Sequence, residues 1–362
     1  MPSHTVRRSS VEFSACTGKK HGAGKGKGID SFSNPRPYGP GTRSAGGPLA
    51  PGRHAFCRAA SIEASPSYSD EDDRRTGSAA TSPPKRTLND DSHHAFKNGH
   101  QIPQLGLGVF QIPPEQTRQA VLDAFDIGYR HIDTAAIYKN EQGVGEAIAS
   151  VGLPREQLFI TTKLWNEQQG YDSTLRAFDE SMAKLKLDKL DLYLIHWPCP
   201  QRGEFLATWK AFQRLRDEGR VTSIGVSNFR VQDIELLISE TGEVPVVNQI
   251  ELHPYLQQQE LCEYHASKGI VTEAWSPLAR GGEMLADPVI KALADKHGKT
   301  AAQVVLRWHL DKGFVIFPKS VHAERLRENF DLFDFSLDAD DLSKIATLDR
   351  GQRIGPDPAV LN

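Results

Sequence analysis

Eight short apolar segments, separated by stretches with helical periodicity, constrain the fold of this 362-residue chain more than any other feature. In the helical stretches apolar residues recur three and four positions apart, as Leu175, Phe178 and Met182 do, which is typical of one face of an amphipathic helix. Eight strand–helix units over about 270 residues match the size of a (β/α)8 barrel. The segments are residues 105–110, 130–135, 158–163, 191–197, 222–227, 245–251, 270–276 and 314–319.

The predicted fold is therefore an α/β (β/α)8 TIM barrel. A doubly wound sheet is the alternative, but it would need a glycine-rich first turn. The first strand–helix junction, Gly108-Val109-Phe110-Gln111, lacks one. Before the first strand, the pair Asn98-Gly99 lies between alternating residues, and this pattern predicts an N-terminal β-hairpin.

Residues 1–92 differ in composition from the rest of the chain. They are rich in Ser, Gly and Pro and carry no sustained apolar period, so they are predicted to form a disordered tail. The tail is interpreted as a solvated segment, or as upstream sequence included by a wrong start site. An organelle transit peptide is the other interpretation, although the many Gly and Pro residues argue against an amphipathic helix. Residues 93–362 are predicted to form the barrel.

The charge balance excludes several classes of partner. Lys and Arg number 43 against 46 Asp and Glu, a net charge of −3, so no strong basic field predicts binding to nucleic acid. No apolar run reaches the length of about 20 residues that spans a membrane. The four cysteines fit neither a zinc site nor a disulfide framework. These observations predict no metal site. The expected location is the cytoplasm, with organelle import through the tail left open, and the expected state is a monomer.

A barrel places its functional residues at the C-terminal ends of the strands and in the loops that follow. Asp133, Lys163 and His196 end the second, third and fourth predicted strands, and Tyr138 follows Asp133 by five residues. We therefore expect four ionisable side chains from adjacent units to meet at one rim.

These four residue types suit the reduction of a carbonyl group. A tyrosine has a pKa of about 10, and a nearby lysine lowers it by favouring the phenolate. An aspartate holds the lysine charged, and a neutral histidine can donate a hydrogen bond to a carbonyl oxygen. Such a site could protonate a developing alkoxide, but it needs a cofactor as hydride donor.

Several motifs resemble the aldo-keto reductase family, in particular its short prokaryotic-type members. The signature-like segment runs from Gly128 to Ala135 and continues through Tyr138, Asn140 and Glu141. The resemblance covers essentially all of 93–362. Its further blocks are Thr162-Lys163-Leu164-Trp165, Ile195-His196-Trp197-Pro198, Gly225-Val226-Ser227-Asn228-Phe229, Asn248–Tyr255, Ala274–Leu278 and Pro318-Lys319-Ser320.

The resemblance implies a role for each matching position. Tyr138 matches the general acid, Lys163 and Asp133 its partners, and His196 the residue that orients the carbonyl. The positions that match contacts to the nicotinamide are Ser227, Asn228, Gln249 and the stacking Trp275. Ser276 and Leu278 match the loop over the pyrophosphate. The positions that match the adenosine end are Lys319, Ser320 and Arg325 at the 2′-phosphate, with Glu328 and Asn329 at the adenine.

The cofactor implied is NADPH. Lys319 and Arg325 offer two positive charges to a 2′-phosphate in the strand-eight loop, which is the usual phosphate corner of a barrel. Glu324 lies close by in the sequence, so use of NADH remains open. The expected partner is a small-molecule carbonyl substrate, and its pocket is predicted to be lined by Phe110, Trp165 and Trp197.

Other interpretations remain open at this point. Ser227 and Asn228 could cap the following helix instead of binding a cofactor. The chain could be a cofactor-binding regulatory protein of the same fold, although the presence of all four residues of the tetrad Asp133, Tyr138, Lys163 and His196 favours an enzyme. A barrel glycosidase would need paired carboxylates, and the fourth predicted strand ends in His196 instead.

Overall fold

A computed structural model describes residues 92–362 of the chain. Apart from Ser92, the predicted disordered tail lies outside the described residues. Eight parallel strands form one curved sheet in sequential order. They are β3 (Leu107–Gly108), β4 (His131–Asp133), β5 (Phe159–Leu164), β6 (Leu190–Ile195), β7 (Val221–Ser227), β8 (Val247–Glu251), β9 (Val271–Trp275) and β10 (Val315–Ile316).

The barrel closes between its first and last strands. Leu105 forms a parallel bridge with Ile316, and the amides of Gly106 and Gly108 donate to the carbonyls of Ile316 and Phe317, at 2.7 and 3.1 Å. The backbones approach so closely that a Cβ at Gly108 would lie 2.5 Å from the Phe317 carbonyl oxygen. The two closing strands are shorter than their predicted segments, because this seam holds only a few hydrogen bonds.

Helices follow every strand of the barrel, as the predicted alternation requires, with one additional helix after β9 and one after β10. Their apolar faces pack on the outside of the sheet. They are α1 (Pro114–Ile127), α2 (Glu141–Val151), α3 (Tyr171–Leu185), α4 (Phe205–Asp217), α5 (Val231–Thr241), α6 (Gln259–Lys268), α7 (Pro288–His297), α8 (Ala301–Asp311), α9 (Ala323–Phe330) and α10 (Ala339–Ala346). The predicted (β/α)8 barrel is confirmed.

The predicted hairpin is present and closes the bottom of the barrel. Strands β1 (His93–Ala95) and β2 (Gln101–Pro103) pair antiparallel, and the Phe96 amide donates to the His100 carbonyl across a turn that contains Asn98 and Gly99. The apolar cluster at this end joins the hairpin to the lower parts of the strands: Phe96, Ile102, Phe159, Leu192, Leu194, Val246, Val247 and Val315. The barrel interior is therefore apolar at the hairpin end.

No helix among residues 92–362 is both long and apolar enough to cross a lipid bilayer.

Candidate active site

Four predicted residues meet at the C-terminal rim of the barrel. Asp133 is the last residue of β4, Lys163 lies in β5, and His196 directly follows β6. Tyr138 ends a short 3₁₀ turn in the loop after β4. Because β4, β5 and β6 are adjacent parallel strands, their carboxyl ends bring these side chains together.

Lys163 and Asp133 form a buried ion pair. The Lys163 Nζ donates to Asp133 Oδ1 at 2.6 Å and to the Thr134 carbonyl at 2.9 Å. Both side chains are almost completely excluded from solvent. Burial raises the pKa of Asp133, and the lysine opposes this rise. Burial is the largest single influence on the pKa of Lys163 and lowers it, but the charge of Asp133, its hydrogen bond and the other acidic groups nearby together more than offset burial, and the net pKa is raised. The ammonium is therefore held charged beneath the rim.

Tyr138 lies beside this ammonium, with the Lys163 Nζ 5.2 Å from the centre of the phenol ring. Burial raises the pKa of Tyr138, while Lys163 lowers it and Asp133 raises it further. The lysine therefore acts in the expected direction, but the net pKa lies above the ordinary value, so the phenol keeps its proton at neutral pH.

His196 is uncharged at this rim. Burial lowers the pKa of His196 far below its ordinary value, and the charge of Lys163 lowers it further. Its ring centre is 5.8 Å from that of Tyr138, and its Nδ1 has no hydrogen-bond partner among the described residues. A neutral imidazole can donate one hydrogen bond to an oxygen placed between these two rings.

Aromatic rings surround the tetrad, including the three that were predicted to line a substrate pocket. Phe110 packs on Tyr138 at 4.9 Å between ring centres and is 48% exposed. Trp165 contacts His196 edge-on at 5.3 Å, and Trp197 stacks on it at 6.4 Å. The mouth above the tetrad therefore has an apolar wall.

The residues that match nicotinamide contacts are joined by hydrogen bonds. Ser227 Oγ donates to the Gln249 carbonyl, while Asn228 Nδ2 donates to the His196 carbonyl and its Oδ1 accepts from Trp275 Nε1 at 2.8 Å. Asn228 has a φ of 62°, which asparagine tolerates. The N-cap of helix α5 is instead Arg230, whose backbone amide and guanidinium both donate to the Asp233 carboxylate. The helix-cap interpretation of Ser227 and Asn228 is therefore wrong.

The loop after β9 has an unusual backbone. Ser276 has a φ of 51°, and four consecutive residues, Ala279 to Gly282, have φ values of 47°, 60°, 80° and 68°. The Gly281 amide donates to the Leu278 carbonyl at 2.6 Å. Left-handed backbone at non-glycine residues is costly, and such residues cluster at active sites and ligand-binding loops.

The residues that match the adenosine end lie around the start of α9. Lys319 and Arg325 are exposed, and no ion pair or hydrogen bond engages their cationic groups among residues 92–362. Ser320 Oγ accepts from the His322 amide, and Asn329 is buried. Glu328 accepts a 2.6 Å hydrogen bond from Thr300 Oγ1, so its carboxylate is directed toward α8 in this structure.

Sequence reasoning missed Glu273, which is completely buried in β9. Gln249 Nε2 donates to Glu273 Oε2 at 2.7 Å and to Asp133 Oδ2 at 2.9 Å, so Glu273 is linked to the tetrad through one amide. A carboxyl group within the apolar segment 270–276 was the available signal, because a buried acid is rare unless it is paired.

The C-terminal segment was also missed. The amides of Ile354 and Gly355 donate to the buried carboxylate of Glu251 at 2.6 and 3.0 Å. A Cβ at Gly355 would lie 2.3 Å from Trp275 Cη2. This segment therefore packs against the indole ring at the rim.

Comparison with known proteins shows the family of this chain. The model of the aldo/keto reductase family matches residues 104–350, about two thirds of the chain. The chain belongs to the aldo/keto reductase family. It is 57% identical over 279 residues to an aldo-keto reductase of Mycolicibacterium smegmatis, covering 77% of this chain and 98% of that protein. It is 52% identical over 264 residues to the methylglyoxal reductase DkgA of Escherichia coli K12, covering 73% and 95%.

A solved structure supports the same membership. A mutant of Gox0644, crystallised in complex with NADPH, is 50% identical to this chain and superimposes with a TM-score of 0.72. The match covers 75% of this chain and 98% of that one. As a member of this family, the chain is an oxidoreductase with a (β/α)8 barrel.

Proposed function

We propose that this aldo-keto reductase uses NADPH to reduce aldehydes or ketones to alcohols, with Tyr138 as the general acid. The observation that carries the proposal is the buried Lys163–Asp133 pair beside a protonated phenol and an uncharged imidazole. These groups lie at the C-terminal rim of the barrel, where barrel enzymes have their active sites.

Each side chain has one task in the proposed reaction. His196 donates a hydrogen bond that orients and polarises the carbonyl oxygen. As the carbonyl carbon is reduced, charge develops on this oxygen, and Tyr138 transfers its phenolic proton there. Lys163 stabilises the phenolate that remains, and Asp133 keeps the ammonium charged and fixed. The nicotinamide supplies the hydride when it is bound.

The residues present fit a nicotinamide cofactor. Trp275 offers an aromatic face at the rim, Gln249 and Ser227 offer polar groups beside it, and the loop Ala279–Gly282 has a left-handed backbone of the kind found in ligand-binding loops. Because Lys319 and Arg325 have no ionic partner among the described residues, both are free to bind a 2′-phosphate. This charge pair favours NADPH, with NADH as the weaker cofactor.

The substrate proposed is a small aldehyde or α-dicarbonyl. The rings of Phe110, Trp165 and Trp197 form an apolar wall with few hydrogen-bonding groups, which suits compact carbonyl compounds. The similarity to methylglyoxal reductases supports the same class.

The substitution Tyr138→Phe tests the role of the acid. It removes only the phenolic oxygen, so turnover should fall by about 10²–10⁴-fold, the usual contribution of general acid catalysis. NADPH binding, followed by quenching of tryptophan fluorescence, should stay nearly unchanged. Tyr264→Phe removes a phenol that bonds Glu235 on the outer helices and should keep full activity.

Wild-type turnover by Tyr138→Phe would refute the acid assignment. If the wild-type protein bound NADPH but reduced no aldehyde, ketone or dicarbonyl, the regulatory alternative would replace the enzyme proposal.

We further propose that the protein is a cytoplasmic monomer. The two cysteines within the described residues, Cys199 and Cys262, are free thiols, which suits a reducing compartment. Light scattering of the purified protein should give the mass of one chain, and a dimer mass would contradict the monomer.

A further inference from the structure

Gln249 is held by two carboxyl groups, one from β4 and one from β9. Its Nε2 is the donor to both Asp133 Oδ2 and Glu273 Oε2, so both amide hydrogens are used. Since the amide is planar, its Oε1 must point away from these carboxyls, and no described residue donates to it. Gln249 therefore presents a hydrogen-bond acceptor with a fixed orientation.

Glu273 itself lies where a carboxylate would be poorly stabilised. Its side chain is inaccessible to solvent, and its Oε1 has no partner among the described residues. An ionised carboxylate in such a place would need donors on both oxygens. A protonated acid still accepts from Gln249 through Oε2 and leaves only a neutral hydroxyl unpaired on Oε1, which costs much less than an uncompensated buried charge.

The charges that surround Glu273 also favour the protonated acid. Asp133 on β4 and Lys163 on β5 are the charged groups that act on it, while β8 contributes the uncharged Gln249 and β10 the apolar Val315. His131 on β4 is neutral, because burial lowers its pKa to about 3. With Glu273 protonated, one ammonium balances one carboxylate. With Glu273 ionised, two carboxylates would share that ammonium.

We infer that Glu273 is a neutral carboxylic acid that positions Gln249, and through it the acceptor that the nicotinamide carboxamide would meet. The positioning of Gln249 for the nicotinamide carboxamide rests on the proposed cofactor site. The protonation of Glu273 concerns the protein alone. Consistent with this, burial, followed by the charge of Asp133, raises the pKa of Glu273 to about 8.

Loss of the proton has a consequence for catalysis. An additional negative charge beside Lys163 and Asp133 acts on Tyr138 as Asp133 does, and raises the pKa of the phenol. A weaker acid transfers its proton less readily. Activity should therefore decline in alkaline solution as Glu273 ionises.

Infrared difference spectroscopy tests the protonation of Glu273 without cofactor. The wild-type protein should show the carbonyl band of a buried carboxylic acid in mildly acidic buffer, lost with a midpoint near pH 8. The band should be missing from Glu273→Gln. If the wild-type and Glu273→Gln spectra show no such difference in acidic buffer, Glu273 is ionised and the inference is wrong, whatever the enzyme does.

Thermal unfolding gives a second readout that needs no cofactor. A carboxyl with a raised pKa binds its proton in the folded protein over a pH range where the unfolded chain has released it. Between the ordinary pKa of glutamate and about pH 8, the wild-type Tm should therefore fall relative to the Tm of Glu273→Gln. Above about pH 8 the two Tm curves should run parallel. Parallel Tm curves throughout would overturn the inference.

Two variants then test the link to Gln249. Glu273→Gln keeps an acceptor for Gln249 and stays neutral, so NADPH affinity should match the wild type, and activity should persist in alkaline buffer. Glu273→Leu removes the acceptor, so NADPH affinity should weaken about tenfold, the value of one lost hydrogen bond. Equal NADPH affinity of the folded Leu variant would refute the positioning role. If the wild-type protein failed to bind NADPH, the proposed cofactor site would be refuted instead. The infrared test of Glu273 protonation would remain valid.

Discussion

The proposed site has two ends that use positive charge in different ways. At the reaction end, Lys163 is completely buried and bonded to Asp133 and to a backbone carbonyl. At the adenosine end, Lys319 and Arg325 are exposed and have no ionic partner among residues 92–362. The first charge is part of the folded structure, and the second pair is available to a ligand. Removing the buried charge should therefore lower stability and turnover, whereas removing an exposed charge should lower only the affinity for the cofactor.

The largest effect is expected at the buried end. Lys163→Met leaves Asp133 without its partner in the barrel interior, which costs about 3–5 kcal/mol of unfolding free energy for a broken buried pair. Turnover should fall by about 10²–10⁴-fold because the phenolate of Tyr138 is no longer stabilised. Denaturant unfolding and steady-state kinetics measure the two losses separately.

A double variant sharpens this result. Replacing both partners, as Asp133→Asn with Lys163→Met, removes the uncompensated charge. Stability should recover in part, while activity should stay low. If Lys163→Met unfolded at the wild-type denaturant concentration, the buried pair would not contribute to the fold in the way described.

The two ends also differ in how far the sequence could predict them. Asp133, Lys163 and His196 lie at or beside strand ends, so the barrel fold alone placed them at one rim. Glu273 could not be placed in this way, because its link to Asp133 depends on barrel closure, which brings β9 across from β4. The net pKa of Tyr138 was also beyond sequence reasoning, since it depends on how far burial outweighs Lys163.

Contacts at the rim were also beyond what the sequence could predict. Trp275 was assigned from its motif, but its contact with Gly355 depends on the path of the C-terminal segment. That path is fixed by two amides on Glu251, and nothing in the sequence pattern indicates these bonds. The fold and the position of the rim followed from periodic local features, whereas the contacts between distant segments did not.

The smaller effect is expected at the exposed end. Lys319→Met removes a charge that the folded protein does not use, so the unfolding free energy should stay the same. If this lysine binds the 2′-phosphate, the Kd for NADPH should rise about tenfold, equal to about 1.4 kcal/mol. The Kd for NADH, which has no such phosphate, should hardly change. Isothermal titration with both cofactors measures the ratio.

Lys312→Met is the matched control, because Lys312 is also an exposed lysine but precedes β10 at the opposite end of the strand. It should alter neither Kd. Added salt offers an independent check, since exposed charges are screened. The wild-type Kd for NADPH should rise with salt more steeply than that of Lys319→Met, while kcat, which depends on the buried pair, should change little. Equal weakening of NADPH and NADH by Lys319→Met would show that this lysine does not recognise the 2′-phosphate, and the contrast between the two ends would then rest on Arg325 alone.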